Sequence, residues 1–130
     1  MCAIAGYCNL SNPQFLLDPS LLEKMQQTLH HRGPDGYRTW LSNRHELALV
    51  HRRLSIVDLS DAAFQPMVDK DNTVVVCCNG EIYKHKQLRT ELEALGYQYS
   101  SQSDSETIVH AYKQWGIQCL DRFDGMFAIV

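Results

Sequence analysis

The chain has 130 residues and a net charge of −3 at pH 7, with 45% hydrophobic and 21% charged residues. This length suits one globular domain, and without a basic patch the composition argues against nucleic-acid binding. No apolar run reaches the ~18 residues of a membrane helix, and the first residues lack the pattern of a signal peptide, so we expect a cytoplasmic protein without membrane contact.

The five cysteines are Cys2, Cys8, Cys77, Cys78 and Cys119. They form no C-x-x-C pair and match no zinc-binding spacing, so we expect free thiols and no metal site. Apart from Cys2, they are interpreted as small apolar residues of the core. The composition leaves the oligomeric state open, including a homo-oligomer.

The first elements are a strand, a helix and a loop. Residues 3–8 predict a short buried strand. Asp18 is interpreted as a helix N-cap, with Pro19 in the first helical position. The apolar face of this helix is predicted to consist of Leu22, Met25 and Leu29. Residues 31–36, HRGPDG, contain glycine and proline and are predicted to be a loop that stops the helix.

The middle of the chain is predicted to be rich in strands. Residues 37–41 and 46–52 indicate two strands joined by a turn. Residues 54–59 indicate a further extended stretch, and residues 60–66 a loop. Residues 74–78 are apolar at every position, which is typical of a strand covered on both faces.

The second half is predicted to be mostly helical. Asn79-Gly80 is interpreted as a turn directly after the buried strand. The apolar face of the next helix is predicted to be Leu88, Leu92 and Leu95, with Gly96 ending it. Residues 97–100 are interpreted as a short strand. Asp104 is expected to open another helix that Gly116 ends, with an inner face of Ile108, Tyr112 and Trp115.

Residues 126–130 are expected to begin a strand that stops with the chain. A strand without a closing element predicts a fragment, or a domain cut from a longer chain. Open sheet edges would then invite pairing with another chain.

Cys2 is the first candidate for chemistry. When the residue after the initiator methionine is small, Met1 is generally removed, and Cys2 then carries a thiol and a free amine. An α-amine titrates near about 7.7–8.0, so it can act as the general base that activates the thiol. Taken alone, a cysteine at this position can also be accidental.

Two further patterns point to the binding of a small polar substrate. Asn79 and the N–H of Gly80, at the end of a buried strand, can form an oxyanion hole; an ordinary hairpin turn is the alternative. Arg53, just before an apolar strand, can present a planar fork to a carboxylate, or it can be a solvated surface arginine. Asp104 and Glu81 are candidates for an ammonium group, although Asp104 also fits a plain helix cap.

Several stretches, in this order, resemble the class II glutamine amidotransferase domain of the asparagine synthetase family. They are residues 1–6 (MCAIAG), 31–36 (HRGPDG), 53–58 (RLSIVD), 65–67 (QPM), 79–83 (NGEIY), 103–106 (SDSE) and 125–128 (GMFA). The resemblance implies an α+β fold, a four-layer α/β/β/α sandwich of the N-terminal nucleophile hydrolase type, incomplete at its C-terminus.

The resemblance also implies site residues. The implied catalytic residues are Cys2, which forms a γ-glutamyl thioester that water hydrolyses to glutamate, and Asn79 and Gly80, which form the oxyanion hole. The implied glutamine-binding residues are Arg53, Leu54, Ser55, Ile56, Val57, Asn79, Gly80, Glu81 and Asp104. Among these, Arg53 is expected to hold the α-carboxylate, and Glu81 and Asp104 the amino group.

The implied substrate is L-glutamine, and the implied partner is a synthetase domain or subunit that uses the ammonia to make asparagine. Residues 1–130 would be the N-terminal portion of the glutaminase domain. No G-x-x-x-x-G-K-[ST] loop occurs, so ATP and magnesium are expected only in the absent synthetase domain, with no cofactor here.

The chain departs from the family pattern at Ala3, where the family usually has glycine, and at Lys84, where it usually has asparagine. Two alternatives stay open. One is a truncated, non-catalytic or glutamine-binding module, and the other is a glutaminase that serves another amide-forming enzyme.

Overall fold

The computed structural model describes residues 2–10, 17–56 and 58–130. Their strands are β1 (Ala3–Cys8), β2 (Gly36–Leu41), β3 (Leu47–Arg53), β4 (Met67–Val68), β5 (Val75–Val76), β6 (Cys78–Ile82) and β7 (Gly125–Ile129). The α-helices are α1 (Pro19–Thr28), α2 (His85–Ala94) and α3 (Asp104–Trp115). Short 3₁₀ helices cover His30–Arg32, Asp61–Ala63 and Gly116–Arg122.

The strands form three antiparallel sheets. The first has the order β1-β3-β2, and the other two are the pairs β4-β5 and β6-β7. The central strand β3 pairs with β1 so that Ala3 lies opposite Arg52, and with β2 so that Gly36 lies opposite Arg53. This register brings the start of the chain alongside the end of β3.

Hydrophobic clusters between the sheets and the helices hold the layers of the fold together. Ala48 and Val50 of β3 pack with Leu22 of α1, so α1 covers one face of the three-stranded sheet. The strands β4 to β7 pack instead against α2 and α3, in a core that includes Ile82 and Ile108. The architecture is therefore helix, sheet, sheets and helices, because each sheet buries one face against helices.

The helix ends follow their predicted caps. Asp18 caps α1 by accepting a hydrogen bond from the backbone N–H of Ser20 at 2.9 Å, and Pro19 is the first helical residue. In α3 the cap is Ser103, which accepts from Ser105 N–H, so Asp104 is the first helical residue and not the cap. Helix α2 ends just before Gly96, whose φ is +98°. The predicted start of α1 at Asp18-Pro19, the opening of α3 at Asp104, and the glycines that follow α2 and α3 are confirmed.

Several local predictions were wrong. Asn79-Gly80 is not a turn but lies inside β6, since Asn79 pairs with Ala128 and Gly80 with Phe127. Residues 74–78 do not form one strand; β5 and β6 are separated at Cys77, whose backbone bonds to Val130 in both directions. The predicted loop 31–36 includes a 3₁₀ turn and the first residue of β2.

Three further predictions also differ. Residues 97–100 form no strand, because Ser100 donates its backbone N–H to Glu106 instead of a strand partner. Of residues 54–59, those described form no strand. Tyr112 is 45% exposed and does not belong to the inner face of α3. None of the described helices combines the length and apolar character needed to cross a lipid bilayer.

Candidate active site

Strand β3 directs two polar side chains away from α1. Side chains alternate between the faces of a strand, and Val50 lies in the core beneath α1 while Arg52 donates to Gln26 of α1 at 2.9 Å. His51 and Arg53 therefore point to the opposite face, where both line a cavity of about 320 Å³.

This cavity lies between the end of β3, strand β6 and the first turn of α3. Of the predicted site residues, it brings together Cys2, Arg53, Leu54, Ile56, Asn79, Gly80, Glu81 and Asp104. Ser55 is not among the residues that line it; its backbone N–H donates to Asp35 Oδ2 at 2.8 Å. Val57 lies outside the described residues.

Cys2 contacts the backbone just beyond β3. Its Sγ lies 3.4 Å from the nitrogen and 3.6 Å from the oxygen of Leu54. The contact follows from the register, since Ala3 opposite Arg52 makes Cys2 the next partner, opposite Arg53. The half-buried thiol is thereby held at the wall of the cavity, beside the residue predicted to bind a carboxylate.

Arg53 is a fixed, buried cation. It is 5% exposed, and its guanidinium donates to the carbonyls of Ser60, at 2.9 Å, and Asp58 while lying 4.6 Å over the ring of Phe64. A guanidinium has five N–H groups, so donors remain for a ligand. Arg53 ends β3 and does not precede a strand, and the surface alternative considered above is wrong.

Carboxylates also line the cavity. Asp104, the first residue of α3, is 7% exposed and accepts a hydrogen bond from the backbone N–H of Ile82 at 2.9 Å. This bond uses one lone pair and leaves the other oxygen of Asp104 for a ligand. Glu81 is exposed on β6. A cavity wall with one guanidinium and several carboxylates complements a zwitterion such as an amino acid.

Asn79 and Gly80 occupy neighbouring positions on β6. Asn79 Oδ1 is buried and takes no hydrogen bond from the described residues. Gly80 has a φ of +151°, and a Cβ added there would lie 2.0 Å from the carbonyl oxygen of Met126. Only glycine therefore allows β7 to approach β6 this closely, which explains the glycine of the NGEIY stretch in physical terms.

Gln65 and His51 are among the cavity residues to which the sequence analysis assigned no role. Gln65 is buried and joins two elements behind the site, since it donates to Ser105 Oγ at 2.9 Å and accepts from the backbone N–H of Cys78. In the sequence, Gln65 could have been found through the QPM stretch, residues 65–67, which resembles the family pattern. His51 was overlooked beside the arginines; its signal is a polar residue at the same alternating positions as Arg53.

Cys78, the other thiol that lines the cavity, is a poor nucleophile. Burial raises the pKa of Cys78 to about 12, with Asp104 and Cys2 adding to the shift, so the thiolate does not form near neutral pH. Within the described ranges, no three His, Cys, Asp or Glu side chains are grouped so that they could hold a metal ion.

The chain matches the family of glutamine amidotransferase domains over residues 1–130. It is 35% identical over 130 residues to the glutamine-hydrolysing asparagine synthetase 3 of Bacillus subtilis, covering 98% of this chain and 20% of that protein. It is 36% identical over 128 residues to the corresponding synthetase of Zea mays, again covering 98% of this chain and 20% of the relative. The chain thus spans about a fifth of the length of these relatives.

A solved structure shares the fold. The glutamine phosphoribosylpyrophosphate amidotransferase from B. subtilis, complexed with ADP and GMP, superposes with a TM-score of 0.72 at 16% identity. The match covers 99% of this chain and 34% of that protein. This likeness confirms the predicted α+β sandwich.

Proposed function

The chain belongs to the family of glutamine amidotransferase domains, and we propose on that premise that Cys2 attacks the side-chain amide of glutamine and releases ammonia. The observation that carries the proposal is the position of Cys2 Sγ, 3.4 Å from Leu54 N, in the cavity that Arg53, Asn79 and Asp104 also line. The cavity is thus lined by a thiol, a guanidinium, an amide and a carboxylate, which can all contact one small ligand.

Activation of Cys2 depends on its own amine. Once Met1 is removed, a free α-amine and a thiol belong to the same residue, and the amine can take the thiol proton directly or through one water. The sulfur then attacks the carbonyl carbon of the glutamine amide. When the carbon–nitrogen bond breaks, the amine returns the proton to the leaving ammonia.

The negative charge that develops on the amide oxygen needs donors. We assign this role to the side-chain amide of Asn79 and the backbone N–H of Gly80. Water then hydrolyses the γ-glutamyl thioester, which gives glutamate and restores the thiol.

Recognition of the substrate rests on charge. The guanidinium of Arg53, held by the carbonyls of Asp58 and Ser60, is proposed to bind the α-carboxylate, since a planar fork matches that group. Asp104 and Glu81 are proposed to hold the α-ammonium group. Leu54 and Ile56, which line the cavity, are proposed to contact the substrate, and Ser55 and Val57 stay proposed members of the glutamine-binding set.

The use of the ammonia lies beyond this domain. Relatives named as asparagine synthetases support the proposal that the ammonia passes to an amide-forming synthetase domain or subunit, with asparagine as the product. Residues 1–130 then serve as the N-terminal part of its glutaminase domain. ATP and magnesium would act in that synthetase, and this domain would need no cofactor.

Ammonia release tests the proposal. Protein with Met1 removed, verified by intact mass, should convert glutamine to glutamate and ammonia, and Cys2→Ala should abolish the reaction. Cys8→Ala is the matched control, because Cys8 is an exposed free thiol that does not line the cavity. Equal turnover in the wild type and Cys2→Ala would refute the assignment.

A further inference from the structure

His51 is a buried polar group with no assigned task. His51 is only 1% exposed, yet neither of its ring nitrogens makes a hydrogen bond to the described residues. Buried polar atoms are nearly always paired, because leaving one unpaired costs its full desolvation penalty. The two unpaired nitrogens therefore call for a partner that becomes available during function.

The surroundings keep the imidazole neutral. Burial, and then the charge of Arg53 two residues along the same strand face, lower the pKa of His51 to about 4, although the ring lies close enough to the Cys78 backbone for a long, weak hydrogen bond that opposes this shift. A neutral imidazole carries one N–H donor and one lone pair. At neutral pH His51 can therefore donate a hydrogen bond without placing a second cation beside Arg53.

A matching acceptor lines the same cavity. Asn79 Oδ1 is also buried and takes no hydrogen bond from the described residues. Asn79 directly follows Cys78 on β6, and the imidazole of His51 lies beside the Cys78 backbone. The cavity is thus lined by a buried imidazole from β3 and by a buried amide oxygen from β6 that accepts no hydrogen bond from the described residues.

We propose that His51 is a positioning residue for the amide of Asn79, to which it donates an N–H when glutamine occupies the cavity. This inference rests on the proposed glutaminase function. The hydrogen bond to Oδ1 would turn the NH₂ group of Asn79 toward the oxygen of the reacting amide. His51 itself would touch neither the sulfur nor the substrate.

The inferred role predicts a particular kinetic change. An oxyanion-hole donor acts mainly in the transition state, so its misalignment lowers kcat more than it raises KM. His51→Leu, which removes both ring nitrogens, should lower kcat roughly 10- to 100-fold, less than the ~10²–10³-fold typical for loss of an oxyanion donor itself. The KM for glutamine should change by no more than about twofold.

A double-mutant cycle distinguishes positioning from a general packing role. If His51 acts through Asn79, the double variant His51→Leu/Asn79→Ala should be no slower than Asn79→Ala alone, because the positioned group is already missing. His51→Gln and His51→Asn place a donor near the former Nε2 and Nδ1, and one of them should recover most of the lost rate. These two variants also serve if the leucine variant does not fold.

The matched control is His110→Leu. His110 of α3 likewise has two buried ring nitrogens without hydrogen bonds to the described residues. Its ring makes tilted and edge-on contacts with Tyr97 and Tyr99, its Nε2 lies 3.7 Å from Glu106 Oε1, and it does not line this cavity. Its kcat should stay within about twofold of the wild type. If the losses in kcat of the two single variants add in the double variant, or if His51→Leu leaves kcat unchanged, the inference about His51 is wrong while the proposed glutaminase function still stands. Absence of ammonia release by the wild type would overturn the proposed function as well.

Discussion

Cys2 Sγ lies 3.4 Å from the backbone nitrogen of Leu54, the residue that follows Arg53 at the end of β3. The end of β3 thus contacts the proposed nucleophile, Cys2, through Leu54 and also carries Arg53, the proposed ligand of the glutamine carboxylate. Because β1 and β3 pair in register up to Ala3 and Arg52, a slip of β1 by one residue would place Cys2 and Arg53 on opposite faces of the sheet.

Replacing Arg53 by lysine should weaken glutamine binding. Lysine keeps the charge but cannot hold two backbone carbonyls and a carboxylate with one planar fork. We expect kcat/KM for glutamine to fall roughly 10- to 100-fold, mostly through KM, as for a lost hydrogen bond to a charged group. Steady-state kinetics measure this change. Arg122→Lys, in an exposed ion pair with Glu91, should leave both constants unchanged, and an equal effect there would contradict the assignment.

Replacing Asp104 by asparagine separates its charge from its structural bond. The amide oxygen can still accept the N–H of Ile82, so the free energy of unfolding should change by less than about 1 kcal/mol. The KM for glutamine should rise roughly tenfold or more, because the ammonium group loses its counter-charge. Asp124→Asn, whose exposed carboxylate pairs with Lys84, is the control. A normal KM in Asp104→Asn would remove Asp104 from the binding site.

Gly80→Ala should destabilise the fold. The new methyl would lie 2.0 Å from the oxygen of Met126, so β6 and β7 would have to separate. We expect a loss of roughly 3 kcal/mol or more in the free energy of unfolding, measured by urea denaturation. Gly96→Ala is a matched control, because Gly96 also has a positive φ but no atom within 4 Å of its added Cβ. It should cost only about 1–2 kcal/mol.

Stability should depend on pH through His51. Its pKa is lowered from 6.5 to about 4 in the folded protein, so the unfolded chain binds the proton more readily. Stability should therefore be full above pH 6.5 and decline as the pH falls from 6.5 toward 4, by up to about 3 kcal/mol. Urea denaturation at several pH values measures this slope. His51→Leu should remove most of it, and an unchanged slope would contradict a neutral buried His51.

The sequence predicted elements whose signals are local. The cap at Asp18, the acidic helix start at Asp104 and the terminating glycines Gly96 and Gly116 are short-range signals, so the three α-helices could be placed from them. Asn79-Gly80 misled because a turn preference is weak beside strand pairing, and β7 supplies partners for both residues. That pairing joins segments far apart in the chain, which propensity does not report.

The site residues could be named, but not their arrangement. Arg53 was proposed from the charge of its side chain, whereas its burial under Phe64 and its bonds to the 58–60 loop depend on tertiary contacts. His51 was overlooked because its alternation with Arg53 indicates a shared face of β3 but not what that face contacts. Its importance comes from unpaired ring nitrogens, a property of the folded cavity.

The most direct test of the central claim is to trap the intermediate on Cys2. Processed protein would be mixed with glutamine, quenched in acid within its first turnovers and digested, and the N-terminal peptide would be examined by mass spectrometry. We expect a γ-glutamyl thioester on the sulfur of Cys2, and this adduct should be missing when protein that retains Met1 is used. Glutamine hydrolysis without any adduct on Cys2, or with the adduct on Cys8 or Cys78, would contradict the central claim.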